Sequence, residues 1–250
     1  MATLPDLVHD LGDEQAAIVA LLRELDAADW FRPTPAWGWD IRDTVAHLAH
    51  TDELAVDTCR DGPRALGVVA AECASAADLT LLGVLQGRKH SGAEVLEWWE
   101  EARAVEREVL LALEPTATVP WGLGMRPPAF ATARLMETWA HGLDVFAALG
   151  REPVDTDRLG HVAWIGVRAL PYAYSFAGVE PPADPLRVEL TSPSGAAWTF
   201  GPDDAPNRIV GPASQLCRVF VQRLPASEAH DLLAHGDGAR LALQSARAFL

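Results

Sequence analysis

Lysine is nearly absent from this 250-residue chain: Lys89 stands alone, and every other basic residue is an arginine. The 20 basic residues face 35 acidic ones, a formal net charge of -15, and form no stripe. Such a field repels a phosphate backbone and argues against nucleic-acid binding; its main effect is solubility. Cysteine is scarce as well. Cys59, Cys73 and Cys217 are scattered and odd in number, so they frame neither a disulfide scaffold nor a zinc knuckle. Reduced thiols in a cytoplasmic protein are the expectation. None of the three reads as a nucleophile, and Cys217, among Leu216, Val219 and Phe220, reads as core. No window approaches the ~18 uninterrupted apolar residues of a membrane span. The opening MATLPDLVHDLGDEQ is acidic and has no apolar h-region, so no signal peptide is expected. There is no G-x-S-x-G, no phosphate-binding glycine loop, no internal repeat and no low-complexity stretch.

What the chain does have is 49% apolar residues and 22% charged ones, enough for a well-buried core. Apolar residues at helical spacing predict a helix over 4–29. A segment rich in tryptophan and proline, Trp30 to Trp39, then breaks it. This loop either borders a pocket or packs on the end of the helices. Asp40 reads as the N-cap of a helix over 41–59, and a weaker helical segment covers 65–85. Ser91-Gly92 opens a strong helix over 93–113. A Pro/Gly-rich loop leads into another over 129–149, ending on Gly150, and one more covers 157–176. Four main helices suggest a bundle. The composition changes at the proline-rich 181–185, so the boundary is drawn there: residues 1–180 as bundle, 181–250 as a small α+β domain. In the latter, 186–191 and 197–200 read as a hairpin, 207–210 as a third strand, and 212–224 and 237–249 as helices.

Two clusters can carry chemistry. His47 and His50 are three apart on the second helix, and Glu137 and His141 are four apart on the 129–149 helix. An i, i+4 pair can converge on one ion, with a third ligand from a facing helix. Two imidazoles and a carboxylate leave positions open for water or substrate. The bland alternative is a surface hydrogen bond. Against it, Leu135, Met136, Trp139, Leu143 and Phe146 surround the pair, and a buried Glu and His need partners.

The segment Trp37-Gly38-Trp39-Asp40-Ile41-Arg42-Asp43-Thr44-Val45-Ala46-His47-Leu48 resembles the second-helix motif of the DinB-like metal-binding superfamily. It is most similar to the mycothiol-dependent maleylpyruvate isomerase family. Ala131 to Val145, containing Glu137 and His141, resembles that family's second metal motif. The resemblance covers nearly the whole chain. It implies a mainly α fold: a DinB-like up-down four-helix bundle followed by a sterol-carrier-like α+β domain. It implies His47, Glu137 and His141 as metal ligands. His50 falls outside the set, as a neighbour on the helix face or a fourth or supporting group. Asp144 is either an orienter of His141 or a surface charge. In the tail, the resemblance puts an arginine near the end of the helix over 212–224 into the active site, and Arg223 fits best, ahead of Arg208 and Arg218. It grips a substrate carboxylate or is a helix-end charge.

Taken with the ligand spacing, the resemblance implies a divalent-metal-dependent, mycothiol-using enzyme, an isomerase or a thiol S-transferase, acting on a small electrophilic substrate. Zinc is the expected ion, although nickel and iron accept the same donors. The alternatives are a metal-dependent hydrolase, which needs no thiol, and a non-enzymatic metal- or small-ligand-binding protein. The expected partners are the substrate and the low-molecular-weight thiol, with no nucleic acid and no membrane, in a monomer or homodimer.

Overall fold

Local side-chain chemistry decides where the helices begin. In the computed structural model, which describes residues 2–248, α1 (Leu4–Leu22) starts with a capping box. Thr3 accepts from the Asp6 N–H while the Asp6 carboxylate accepts from the Thr3 N–H. Asp40 and Asp43 do the same for α2 (Ile41–Cys59), and Ser91 and Glu94 for α5 (Gly92–Leu111). These caps satisfy the orphan N–H groups of a first turn. Helix α6 (Pro127–Ala148) instead opens on two prolines, which cost nothing where no hydrogen bond is made.

The ends depart from the sequence expectation for equally local reasons. Helix α1 stops seven residues short of the expected 29 because the Asp26 side chain accepts from the N–H groups of Ala28 and Asp29 at 2.8 and 3.0 Å. That turn competes with helix continuation. The weak segment over 65–85 is two helices, α3 (Leu66–Ala71) and α4 (Ala76–Gly87), because Ser75 caps a new start.

Two compact units result, Met1–Pro153 and Val154–Leu250. In the first, α1 packs on α5 and α6, and α2 packs on the same two, which makes the expected four-helix bundle of α1, α2, α5 and α6. Its core joins Ile18, Leu22, Trp30, Ile41, Val45, Leu48, Val95, Trp99 and Val145. Burying each large apolar side chain contributes about 1.5–3 kcal/mol. Packing at the α5 start is tight enough to require glycine: a Cβ on Gly92 would lie 2.1 Å from the Trp30 ring.

The second unit begins earlier than the proline-rich stretch. Helix α7 (Leu159–Ala177) belongs to it, because α7 buries its apolar face against α8 (Ala213–Phe220) and α9 (Asp237–Ser245). Strands β1 (Leu186–Thr191), β2 (Ala197–Phe200), β3 (Asn207–Pro212) and β4 (Leu233–His235) form a mixed sheet in the order β2-β1-β3-β4. The β1–β2 hairpin is antiparallel, β1 and β3 are parallel, and β3 and β4 are antiparallel. Strand β4 has no counterpart in the sequence reading; three residues carry too little alternation to be seen.

Helix α8 ends at Phe220, before the expected 224. Gln222 takes φ 58, the Arg223 N–H donates to the Arg218 carbonyl, and the Gln222 N–H donates to Val219. This is a Schellman ending. The last helix stops at Ser245; Phe249, its expected end, lies outside the described residues.

Candidate metal centre

Two bundle helices bring three donors together. Helix α2 supplies His47; α6 supplies Glu137 and His141, one turn apart. Ligand atoms of all three lie within 4.8 Å of one another. The imidazoles of His47 and His141 meet edge to face with centroids 4.8 Å apart, and His141 Nε2 is 3.6 Å from a Glu137 oxygen. His47 is buried, and the 27% exposure of the Glu137 side chain marks the open side of the cluster.

The protonation states of two of the three donors, His47 and Glu137, suit a cation, whereas without an ion His141 favours its protonated form. Burial, and then the neighbouring His141, push the His47 imidazole down to about 3, so it is neutral with a free lone pair. Burial alone would raise Glu137. The hydrogen bond to His141 and the charges of His141 and Arg134 outweigh it and pull the carboxyl down to about 2. For His141, burial favours the neutral ring, but hydrogen bonds to Asp144 and Glu137 win and raise it. In addition, His47 Nδ1 is buried without a hydrogen-bond partner among the described residues. A buried polar atom left unpaired is costly. The donor set and this orphaned nitrogen fit a divalent ion of the kind bound by two His and one carboxylate.

The neighbours sort themselves by geometry. Asp144 is 1% exposed, with an oxygen 3.2 Å from His141 Nδ1, so it is no surface charge. It can hold the proton on that nitrogen and leave Nε2 facing Glu137. His50 turns elsewhere: it packs on α4, where a Cβ on Gly83 would lie 2.5 Å from the His50 Cβ, and it is not among the converging donors. The tryptophan-rich loop divides its side chains between the core and the site. Trp30 is core, while Trp39 lies over the site, its centroid 5.1 Å from His47's and 6.1 Å from His141's. A turn with Gly38 at φ 79, closed by Trp39 N–H to the Ala36 carbonyl, delivers it there.

Sequence reasoning did not anticipate a charged cluster in the bundle core. Arg134, one turn before Glu137, is 2% exposed. Its Nη2 donates to Asp52 at 2.6 Å and to Thr51 at 3.2 Å, and its Nε to Glu106 at 2.9 Å. Trp99 Nε1 donates to Asp52 at 3.0 Å, and Gln15 to Glu106 at 3.2 Å. The cluster therefore touches α1, α2, α5 and α6. Burial and the adjacent Asp52 charge push Glu106 up to about 8. The available signal was Arg134 itself, an arginine one turn before Glu137 on the same helix face.

The remaining candidates are carried by the second unit. Arg223 follows α8, and its Nη1 donates to the Val221 carbonyl at 2.8 Å. Arg218 pairs with Asp155 through both terminal nitrogens, at 2.8 and 3.0 Å, and Arg208 pairs with Glu189 at 2.9 Å. Burial pushes the Cys59 thiol up to about 12 and Cys217 higher still, consistent with unreactive thiols. No helix among the described residues is long and apolar enough to cross a membrane.

Comparison with known proteins converges on one family. The model of the mycothiol maleylpyruvate isomerase N-terminal domain matches residues 11–146. The uncharacterized proteins Rv0036c and MT0041, from two strains of Mycobacterium tuberculosis, are each 39% identical over 250 residues, 100% of this chain and 97% of theirs. The crystal structures of the mycothiol-dependent maleylpyruvate isomerase and of a mutant of it superpose with a TM-score of 0.61. Each alignment covers 93% of both chains, at 14% and 13% identity respectively, a likeness of fold.

Proposed function

The chain belongs to the mycothiol maleylpyruvate isomerase family, and on that premise we propose that it is a divalent-metal-dependent enzyme using mycothiol on a small electrophilic substrate, as an isomerase or a thiol S-transferase. The observation that carries the proposal is the convergence of His47, Glu137 and His141. A divalent ion there, zinc first among the candidates, supplies the Lewis acidity that keeps a thiol ionised near neutral pH.

The side chains do the rest. Neutral His47 and ionised Glu137 offer a lone pair and one negative charge, and Asp144 orients His141. Trp39 covers both imidazoles and limits the access of water to them. The thiolate sulfur adds to an electrophilic carbon of the substrate. Addition to an activated C=C forms a C–S bond and moves the π pair onto the adjoining carbonyl, leaving a single bond that can rotate. Re-forming the double bond with expulsion of the thiolate gives isomerisation, whereas protonation of the enolate by the proton the thiol released gives S-transfer. Arg223 is assigned a substrate carboxylate, on the strength of the family resemblance.

Titration calorimetry with mycothiol tests this reading. Binding to the zinc-loaded protein at millimolar thiol or below, lost when the metal is stripped, supports it. No binding at millimolar concentration contradicts it.

A further inference from the structure

Three ligands on two helices converge only if those helices keep their spacing and register. Apolar packing fixes both loosely, because one aliphatic side chain can slide past another. The charged cluster beneath the site is a stricter device. Arg134 reaches from α6 to two successive residues of α2, Asp52 at 2.6 Å and Thr51 at 3.2 Å. Thr51 Oγ1 in turn lies 2.9 Å from the backbone carbonyl of His47. Arg134 precedes Glu137 by three residues, an axial step of about 4.5 Å, while Thr51 and Asp52 follow His47 by four and five. The two helices therefore run antiparallel here, with the arginine tie one turn from the ligand layer.

Stability alone does not account for such a cluster. Taking a guanidinium, a carboxylate and a second carboxyl group out of water is expensive, and apolar side chains of similar volume often serve a core equally well. What an apolar set cannot supply is a planar fork of directional bonds that fits one helix separation.

We propose that Arg134 is a positioning residue of the metal centre: by bonding Asp52 and Thr51 of α2 from α6, it sets the register that brings His47 opposite Glu137 and His141. This rests on the metal-binding reading above. Glu106 and Trp99 on α5, and Gln15 on α1, hold the fork and its carboxylate partner in place.

The test uses the full-length protein and two variants. Arg134→Met/Asp52→Asn removes one cation and one anion together and so leaves no new net charge in the core. Arg134→Lys keeps the charge and loses the fork. Melting of the metal-free proteins is measured first, then zinc affinity by competition with a chromophoric chelator. The double variant is expected to fold and to bind zinc roughly 10–100-fold more weakly, as changes behind a metal ligand do; Arg134→Lys recovers part of the loss. Should the double variant fail to fold, Arg134→Lys decides: folded with weakened zinc binding supports the proposal, folded with parental affinity overturns it. A folded double variant with parental affinity also overturns it while leaving the metal site standing. A parent that binds no zinc overturns both.

Discussion

The buried carboxylate of Asp144 lies 3.2 Å from Nδ1 of His141, while Nε2 of the same ring lies 3.6 Å from Glu137. One imidazole thus has a carboxylate at each nitrogen, Asp144 at Nδ1 and Glu137 on the side of the cluster at Nε2. Asp144→Asn keeps the shape and loses the charge. Zinc affinity by chelator competition is expected to fall roughly 10–100-fold, with melting little changed. Unchanged affinity would remove Asp144 from the site.

Glu106 supplies a pH dependence. Burial, followed by the Asp52 charge, raises it from 4.5 to about 8. Between those values the folded protein keeps a proton that the unfolded chain has released, so this group's contribution to stability falls as pH rises through the window. Glu106→Gln cannot titrate. The difference in melting temperature between variant and parent should therefore shift in the variant's favour from near pH 5 to near pH 8. A difference that does not change across this range would contradict the raised value.

Gly92→Ala is expected to destabilise the bundle although alanine favours helices. The added methyl would stand 2.1 Å from the Trp30 ring, whose exposure is 4%. Overpacking of this kind costs about 1–3 kcal/mol, read as a lower urea midpoint. A midpoint equal to the parent's or higher would mean that Trp30 moves aside freely.

These positions also show what the sequence could and could not reveal. Asp40, Ser91 and the Glu137–His141 pair act over three or four residues, so their caps and spacing are visible in one dimension. The Arg134 cluster joins residues 82 and 28 positions apart, so the arginine itself is visible in the sequence but its partners are not. His50 shares the periodicity of His47, yet it packs against Gly83 on another helix, a contact that the local sequence does not reveal. Helix α7 is apolar enough for either unit; its partners, α8 and α9, come later in the chain. The proline-rich stretch over 181–185, where the composition changes, falls inside the second compact unit.

Arg223 is tested by Arg223→Lys, which keeps the charge and loses bidentate geometry. If Arg223 holds a substrate carboxylate, metal content and mycothiol binding stay at parental levels while KM for a carboxylate substrate rises roughly tenfold or more, the loss of about 1.4 kcal/mol of binding. A parental KM would reduce Arg223 to a residue of the turn after α8.

Metal content decides whether His47, Glu137 and His141 form a site at all. Purified parent, Glu137→Ala and His141→Ala would be reconstituted with zinc, dialysed and measured by elemental analysis. The expected result is about one divalent ion per chain in the parent, as a single site with two His and one carboxylate requires, and loss of it in both folded variants. A parent that retains no metal after reconstitution, or variants that retain as much as the parent, would contradict the metal centre.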